Sequence, residues 1–247
     1  MKFSIITISY NSEKTIEDTI VSVLAQNYSN LEYIIIDGGS KDGTLEIINK
    51  YKNKISKIVS ESDRGVYDAM NKGVKLATGD IVGILNSDDF YKNTTVLKDV
   101  YEVLQNNDVD ACYGDIEYVD RNDIKKIVRF WKAGEYRKDK LDSGWIMPHP
   151  AFFVKKEIYN KFGLFNIDFK LASDYELMLR FLIKGLRVKY LPKTLVTMRE
   201  GGLSGQSFKQ RKIGWQELKK AWSVNNIPVP KFFIFKRLLS KIKQYFL

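Results

Sequence analysis

Apolar residues in the first ninety positions follow two patterns. Short, nearly continuous apolar runs occur at Phe3, Ile5, Ile6 and Ile8, at Tyr33, Ile34, Ile35 and Ile36, and at Ile81, Val82, Ile84 and Leu85. Runs of this kind predict strands buried on both faces of a sheet. Between them the spacing changes to that of a helix. Ile16, Ile20, Val23 and Leu24 form one stripe after a cap at Asn11 or Ser12, and Leu45, Ile48 and Tyr51 form another. The predicted strands are 2–9, 32–37, 55–60 and 81–86, and the predicted helices between them end at 44–52 and 66–77. Strand and helix alternate with short connections, so the expected fold is α/β: a mostly parallel central sheet with helices on both faces.

The second half is less regular. A helix is expected over 95–105, and strands over 110–118 and 126–131, paired across Asp120-Arg121-Asn122-Asp123. A loop over 133–147 leads through Pro148-His149-Pro150 to a strand at 151–154 and a short helix at 157–162. Leu177, Phe181 and Leu182 predict the inward face of a helix over 174–184, stopped by Gly185. One or two strands at 187–198 and helices at 208–224 and 231–246 complete the chain.

At 247 residues the length suits one sizeable α/β domain with a small appendage. No stretch approaches the roughly 20 apolar residues of a membrane span, and the segment before Asn11 is too short for a secretory signal. A single cysteine, Cys112, excludes an internal disulfide and suggests a reducing cytosol. The net charge of +10 is uneven: residues 201–247 hold ten basic side chains against one acid, Glu217, leaving 30 basic and 29 acidic residues before them. A nucleic-acid enzyme would spread positive charge around its groove instead, so no nucleic-acid partner is expected.

Two predicted strands end in acids. Asn86-Ser87-Asp88-Asp89 follows the run 81–85, and Asp37 precedes the turn Gly38-Gly39-Ser40. Adjacent carboxylates at the rim of a buried strand are costly unless a cation or a polar ligand meets them. Carboxylates at the C-terminal edge of parallel strands point to a nucleotide and metal site. Each acid also has a plainer reading: Asp88 and Asp89 as turn caps, Asp37 as a turn-forming residue before glycines, and Asp174 as an acid favoured at a helix start. His149, the sole histidine, is either a catalytic or diphosphate-binding group or a ring packed between prolines.

Six segments, in order, resemble the family-2 glycosyltransferases with the GT-A fold, of the kind that build bacterial surface polysaccharides. They are Thr7-Ile8-Ser9-Tyr10-Asn11, the stretch 36–44 around Asp37-Gly38-Gly39-Ser40, the stretch 62–73 around Asp63-Arg64-Gly65, Ala77-Thr78-Gly79-Asp80 with 85–89, His149-Pro150-Ala151-Phe152-Phe153, and Ala172-Ser173-Asp174-Tyr175-Glu176. The resemblance covers roughly residues 3–205 and implies a nucleotide-binding half, 1–118, and an acceptor-binding half, 119–205, followed by a basic helical extension, 206–247. It implies that Thr7, Ser9, Asn11, Asp37, Asp63, Arg64 and Asn86 contact the nucleotide, with Asp37 at the base. Asp88 first and Asp89 second would hold Mn2+ or Mg2+, and Asp174 would be the general base. His149, Arg199 and Ser204 are implied as acceptor or diphosphate contacts. The family's D-x-D motif begins with Asp where this chain has Asn86, which removes one charge from the metal site.

The expected activity is inverting, metal-dependent transfer of a sugar from a nucleoside-diphosphate sugar, with uridine as the nucleoside, to a carbohydrate or lipid-linked acceptor. The rivals are a nucleotidyltransferase acting on sugar phosphates and a non-catalytic membrane or nucleic-acid adaptor. In 231–246, Phe235, Leu238, Leu239, Ile242, Tyr245 and Phe246 share one helical face beside lysines. That pattern suits an anionic membrane surface on the inner face of the plasma membrane, or a helix docked on its own domain or on a second subunit.

Overall fold

The computed structural model describes residues 1–106, 108–201 and 208–242. Four parallel strands lie on one side of its nine-stranded sheet: β1 (Phe3–Ser9), β2 (Leu31–Asp37), β3 (Lys57–Ser60) and β4 (Ile81–Asn86). They are linked by α1 (Ile16–Leu24), α2 (Thr44–Lys50) and α3 (Val66–Leu76), close to the predicted limits. In space the order is β3-β2-β1-β4, so the chain turns one way from β1 to β2 and the other way to reach β4. The carboxyl ends of β1 and β4 therefore flank the point where the strand order reverses, the usual seat of a ligand in open α/β sheets.

The remaining strands are β5 (Phe90–Tyr91), β6 (Ala111–Val119), β7 (Ile127–Trp131), β8 (Phe152–Lys155) and β9 (Val188–Arg199). They extend the same sheet as a mixed half: β8 runs antiparallel to β4 and β6, and β9 runs parallel to β6. β7 pairs antiparallel with β6, as predicted, and the two-residue β5 pairs with β9. The expected cap of α1 is corrected. Ser12 contributes its carbonyl to the amides of Thr15 and Ile16, while the side chains of Asn11 and Ser12 turn to the neighbouring loops.

Alternation along the strands sends side chains into two cores. Phe3, Ile5, Tyr33 and Ile35 join Ile16, Ile20 and Ile48 of α1 and α2 on one face, together with α4 (Val96–Leu104). Ile6, Ile8, Ile34 and Ile36 meet Met70 and Val74 of α3 on the other. Gly73 permits this close packing, since a Cβ there would lie 2.3 Å from Ile6 Cγ2. The second face also carries α5 (Lys156–Phe162), α6 (Ser173–Ile183), α7 (Phe208–Val224) and α8 (Phe233–Ile242). Leu218, Ala221, Trp222 and Phe233 of the basic extension are buried in this same core. No helix among the described residues is long and apolar enough to cross a membrane.

Candidate active site

Ser9, Asp37 and Ser60 sit at paired register positions at the C-terminal ends of β1, β2 and β3. Ser9 Oγ donates to Asp37 Oδ1 at 3.1 Å, and Ser60 Oγ to Oδ2 at 2.7 Å. Ser40 donates its hydroxyl to Oδ1 at 2.5 Å and its amide to Oδ2 at 2.9 Å, and the Gly39 amide reaches Oδ2 at 3.0 Å. Burial alone would raise the Asp37 pKa, but these donors outweigh it and hold the carboxyl below its ordinary range. Five donors more than match the roughly four lone-pair sites of a carboxylate. Asp37 thus shapes the turn at the end of β2.

Asn11, with φ of 49°, binds this turn to the end of β1: its amide donates to Ser40 Oγ at 2.8 Å and its Oδ1 accepts from Lys41 N at 2.9 Å. Thr7 faces the core, sharing a hydrogen bond of 3.0 Å with Tyr33 Oη. The expected contact at this position is one of the backbone near Thr7, which the inward side chain leaves unaffected. Asp63 packs on Gly38, where a Cβ would come within 2.6 Å of Asp63 Oδ2, and it accepts from Gly65 N at 2.8 Å. Arg64 is exposed and reaches Asp68 at 3.3 Å. Tyr10, 61% exposed, lies beside Gly38 and offers an aromatic face next to Asp63. Sequence reasoning missed it as a site residue; its only signal was an aromatic placed just past the end of a buried strand.

At the end of β4 the acids separate. Asp88 is half-buried, and its carboxylate has no hydrogen-bond partner among the described residues. Asp89 is 1% exposed; its Oδ2 accepts from Asn86 Nδ2 at 3.0 Å while Oδ1 has no partner. Burial, reinforced by the Asp88 charge, pushes the Asp89 carboxyl well above its ordinary range despite Asn86 and Arg199. Asp89, expected as the second metal ligand, is turned into the protein, which leaves Asp88 the more exposed of the two carboxylates. Asn86 is likewise engaged with Asp89. The Arg199 guanidinium is buried, donates to the Asp88 carbonyl at 2.7 Å, pairs with Asp18 and lies over Phe90, so it latches this turn.

Asp174 opens α6 and is half-buried, with its Oδ1 accepting from Tyr67 Oη at 3.1 Å. Burial first, then the Asp174 charge, drives the Tyr67 hydroxyl well above its usual range, so it stays a donor. Tyr67 stacks on Phe165 at 5.9 Å between ring centres, and His149 meets the edge of the same ring at 5.7 Å. Burial lowers the His149 pKa, opposed by the nearby Asp174, so the imidazole is neutral at pH 7. Tyr67 stands at the start of α3, directly after the loop carrying Asp63 and Arg64, so it joins the nucleotide edge to Asp174. Ser204 lies outside the described residues. Two hollows elsewhere, one beside Phe232 and Phe235 and one beside Lys161 and Arg187, share no residue with this cleft.

The residues present fit a divalent cation. Mg2+ and Mn2+ are commonly held by one or two carboxylates with substrate phosphates completing the shell, and the Asp88 carboxylate has no hydrogen-bond partner among the described residues. Among the described residues no group of three or more acidic, histidine or cysteine side chains forms a self-sufficient metal site, so phosphate oxygens would supply the rest.

A sheet with a strand-order reversal and acids at its C-terminal edge is the common setting of a nucleotide-binding α/β enzyme. The sequence model for Glycosyl transferase family 2 matches residues 4–163, and the chain belongs to that family. It is 29% identical over 208 residues to a PGL/p-HBAD biosynthesis glycosyltransferase of Mycobacterium tuberculosis, covering 82% of this chain and 78% of that one. It is also 29% identical over 213 residues to the UDP-Glc:alpha-D-GlcNAc-diphosphoundecaprenol beta-1,3-glucosyltransferase WfaP of Escherichia coli, covering 84% and 81%. Among solved structures, S. aureus TarS 1-349 superposes with a TM-score of 0.66 at 25% identity over 81% of this chain and 60% of that one, so the chain spans less than two thirds of that protein's length. The mannosyltransferase PcManGT from Pyrobaculum calidifontis, solved with GDP-Man and Mn2+, shares the fold with a TM-score of 0.68 at 19% identity over 98% and 69%. The protein is a glycosyltransferase, which removes the nucleotidyltransferase and adaptor readings.

Proposed function

We propose that this chain transfers a sugar, with inversion at the anomeric carbon, from a uridine-diphosphate sugar to a carbohydrate or lipid-linked acceptor in surface polysaccharide synthesis. The observation that carries the reading is the half-buried carboxylate at the strand-reversal edge, Asp88, which has no hydrogen-bond partner among the described residues, alongside a further acid, Asp174, held by Tyr67 at the start of α6. Residues 1–118 hold the nucleotide, with the base against Tyr10 and Asp63, and residues 119–205 face the acceptor. Asp88 is the residue that would hold Mn2+ or Mg2+ together with the diphosphate, and such a cation would supply positive charge to the leaving group. The Asp174 carboxylate takes the proton from the acceptor hydroxyl as that oxygen attacks the anomeric carbon. The bond from that carbon to the diphosphate oxygen breaks, and the diphosphate leaves with the electron pair. Tyr67 orients Asp174 through its hydroxyl.

The E. coli relative is named for a diphosphoundecaprenol-linked acceptor, which supports a lipid-linked acceptor here. The shape of the terminal helix supports work at a membrane. Phe233 and Arg237 dock α8 on the body of the protein, while Phe232 (77%), Phe235 (62%), Leu238 (44%) and Leu239 (48%) are exposed on its outer side. Tyr245 and Phe246 lie outside the described residues. Exposed apolar residues among lysines suit adsorption to an anionic inner leaflet. A screen of nucleoside-diphosphate sugars reading diphosphate release tests the reaction: uridine donors should turn over in the presence of Mn2+ or Mg2+, and equal indifference to all donors would refute it. Co-sedimentation of the full chain with anionic vesicles tests the surface, and no binding at physiological salt would rule it out.

A further inference from the structure

The extension that carries the basic charge holds one acid, Glu217, and that acid is buried in α7. Its Oε1 accepts from Lys170 N at 2.8 Å, and its Oε2 accepts from Leu171 N at 2.8 Å and Ala172 N at 3.0 Å. These three amides belong to the segment that enters α6 two residues before Asp174. The residue at the N-cap of α6 is Ala172, which has no side-chain acceptor to fix the entry of the helix. Glu217 supplies the missing acceptor from another helix, with a charge that strengthens each bond.

Two more residues of α7 reinforce the same attachment. Trp222 Nε1 donates to Tyr175 Oη at 3.0 Å, and Asn225 Nδ2 donates to Glu176 Oε1 at 3.1 Å. From α8, Phe233 meets the Tyr175 ring edge-on at 6.2 Å, and the Arg237 guanidinium lies 5.3 Å over the same ring. Asp174 is thus followed in sequence by two residues clamped by the extension and preceded by three amides bound to Glu217. Its only side-chain hydrogen-bond partner among the described residues is Tyr67.

We propose that Glu217 is a positioning residue for Asp174: it fixes the backbone path into α6 and thereby the aim of the carboxylate at the acceptor hydroxyl. The inference rests on Asp174 as the base. It gives the extension a part in the chemistry, although it lies beyond residues 4–163, where the family match ends. Misplacement of a catalytic group by about 1 Å costs on the order of 10²-fold in rate, and loosening three amides at the root of α6 permits a displacement of that size.

The test compares Glu217→Ala, Glu217→Gln and Asp174→Asn in the full chain. Turnover is followed by diphosphate release with the best uridine donor, UDP and Mn2+ binding by calorimetry, and folding by thermal melting. Glu217→Ala should lower kcat by roughly 10–100-fold, with the KM for the sugar donor and UDP binding within about twofold of the parent. Glu217→Gln retains one carbonyl for the Leu171 and Ala172 amides and should recover most of the lost kcat. A kcat for Glu217→Ala equal to the parent's, beside an inactive Asp174→Asn, would overturn the proposal and leave the base assignment standing. Equal loss of kcat and UDP binding, not rescued by Gln, would overturn it as general damage to the fold. Full turnover in Asp174→Asn would remove the base reading itself.

Discussion

At the end of β2, Asp37 receives five hydrogen bonds from its own turn and neighbouring strands, whereas at the end of β4 Asp88 receives none among the described residues and Asp89 keeps one oxygen unpartnered. Both sites close buried strands of one parallel ladder, so burial acts on both. What differs is who satisfies the charge. At Asp37 the fold does so, and the carboxyl is held ionised below its ordinary range. At Asp88 and Asp89 the fold leaves acceptor capacity unfilled, and burial drives Asp89 toward its neutral form. An acid satisfied internally is architecture; one left unsatisfied at a rim is available to a ligand.

Substitutions at these acids should separate the two regions. Asp88→Ala should cost roughly 10²–10³-fold in kcat, the scale of losing one stabilising group at the reacting centre, and should abolish dependence on Mn2+ or Mg2+. Its melting temperature should stay near the parent's, because no described hydrogen bond is lost. Near-normal, metal-dependent turnover would break the contrast from the ligand side.

Asp37→Asn should act on the fold first. Replacing an acceptor of five hydrogen bonds costs about 1–3 kcal/mol, which lowers the melting temperature by roughly 3–10 °C in a chain of this size. The Asp37 pKa is depressed in the fold, so its contribution is present above the unfolded carboxylate range and is lost as pH falls through the folded value. The gap between parent and variant should therefore narrow in melts below about pH 4. A gap that widens in acid would show that Asp37 is not held as an anion.

Asp89→Asn should have the smallest effect. The Asp89 pKa is raised in the fold, so ionising it above the unfolded range of about pH 4 opposes folding. A neutral amide removes that penalty, and calorimetric melts should show the variant gaining on the parent as pH rises from about 4 to 7. A variant that loses ground over that interval would mean that Asp89 is ionised and held by an unrecognised partner.

The parallel half was legible because β1, β2 and β4 are written as apolar runs ending in polar turns, and those local patterns survive folding. The stretch that forms β9 reads as one strand or two. Its pairing with β6 shifts register between Tyr190 and Thr194, the interval containing Pro192, so one strand reads as two in the sequence. The two-residue β5 left no periodicity to read. Of the site, the acids were visible as residues but their roles were not. Thr7 and Asp89 turn inward, and Arg199 is claimed by Asp18 and the Asp88 carbonyl, contacts that no spacing reveals. Glu217 was visible as the extension's one acid, yet its partners are backbone amides, which every sequence has and no motif marks.

The Arg199 latch also bears on how the protein comes to life during synthesis. Arg199 joins Asp18, 181 residues earlier, to the carbonyl of Asp88, 111 residues earlier. In a nascent chain that has already emitted β1 to β4, the turn bearing Asp88 is held by α1, where Thr19 Oγ1 donates to the Asp89 carbonyl at 2.7 Å, and by Ser12, which bonds Ser87 at 2.8 Å. The contact from Arg199 to the Asp88 carbonyl is added only when β9 emerges. The order of translation thus makes the Arg199 clasp on the Asp88 turn one of the last contacts of the sheet to form.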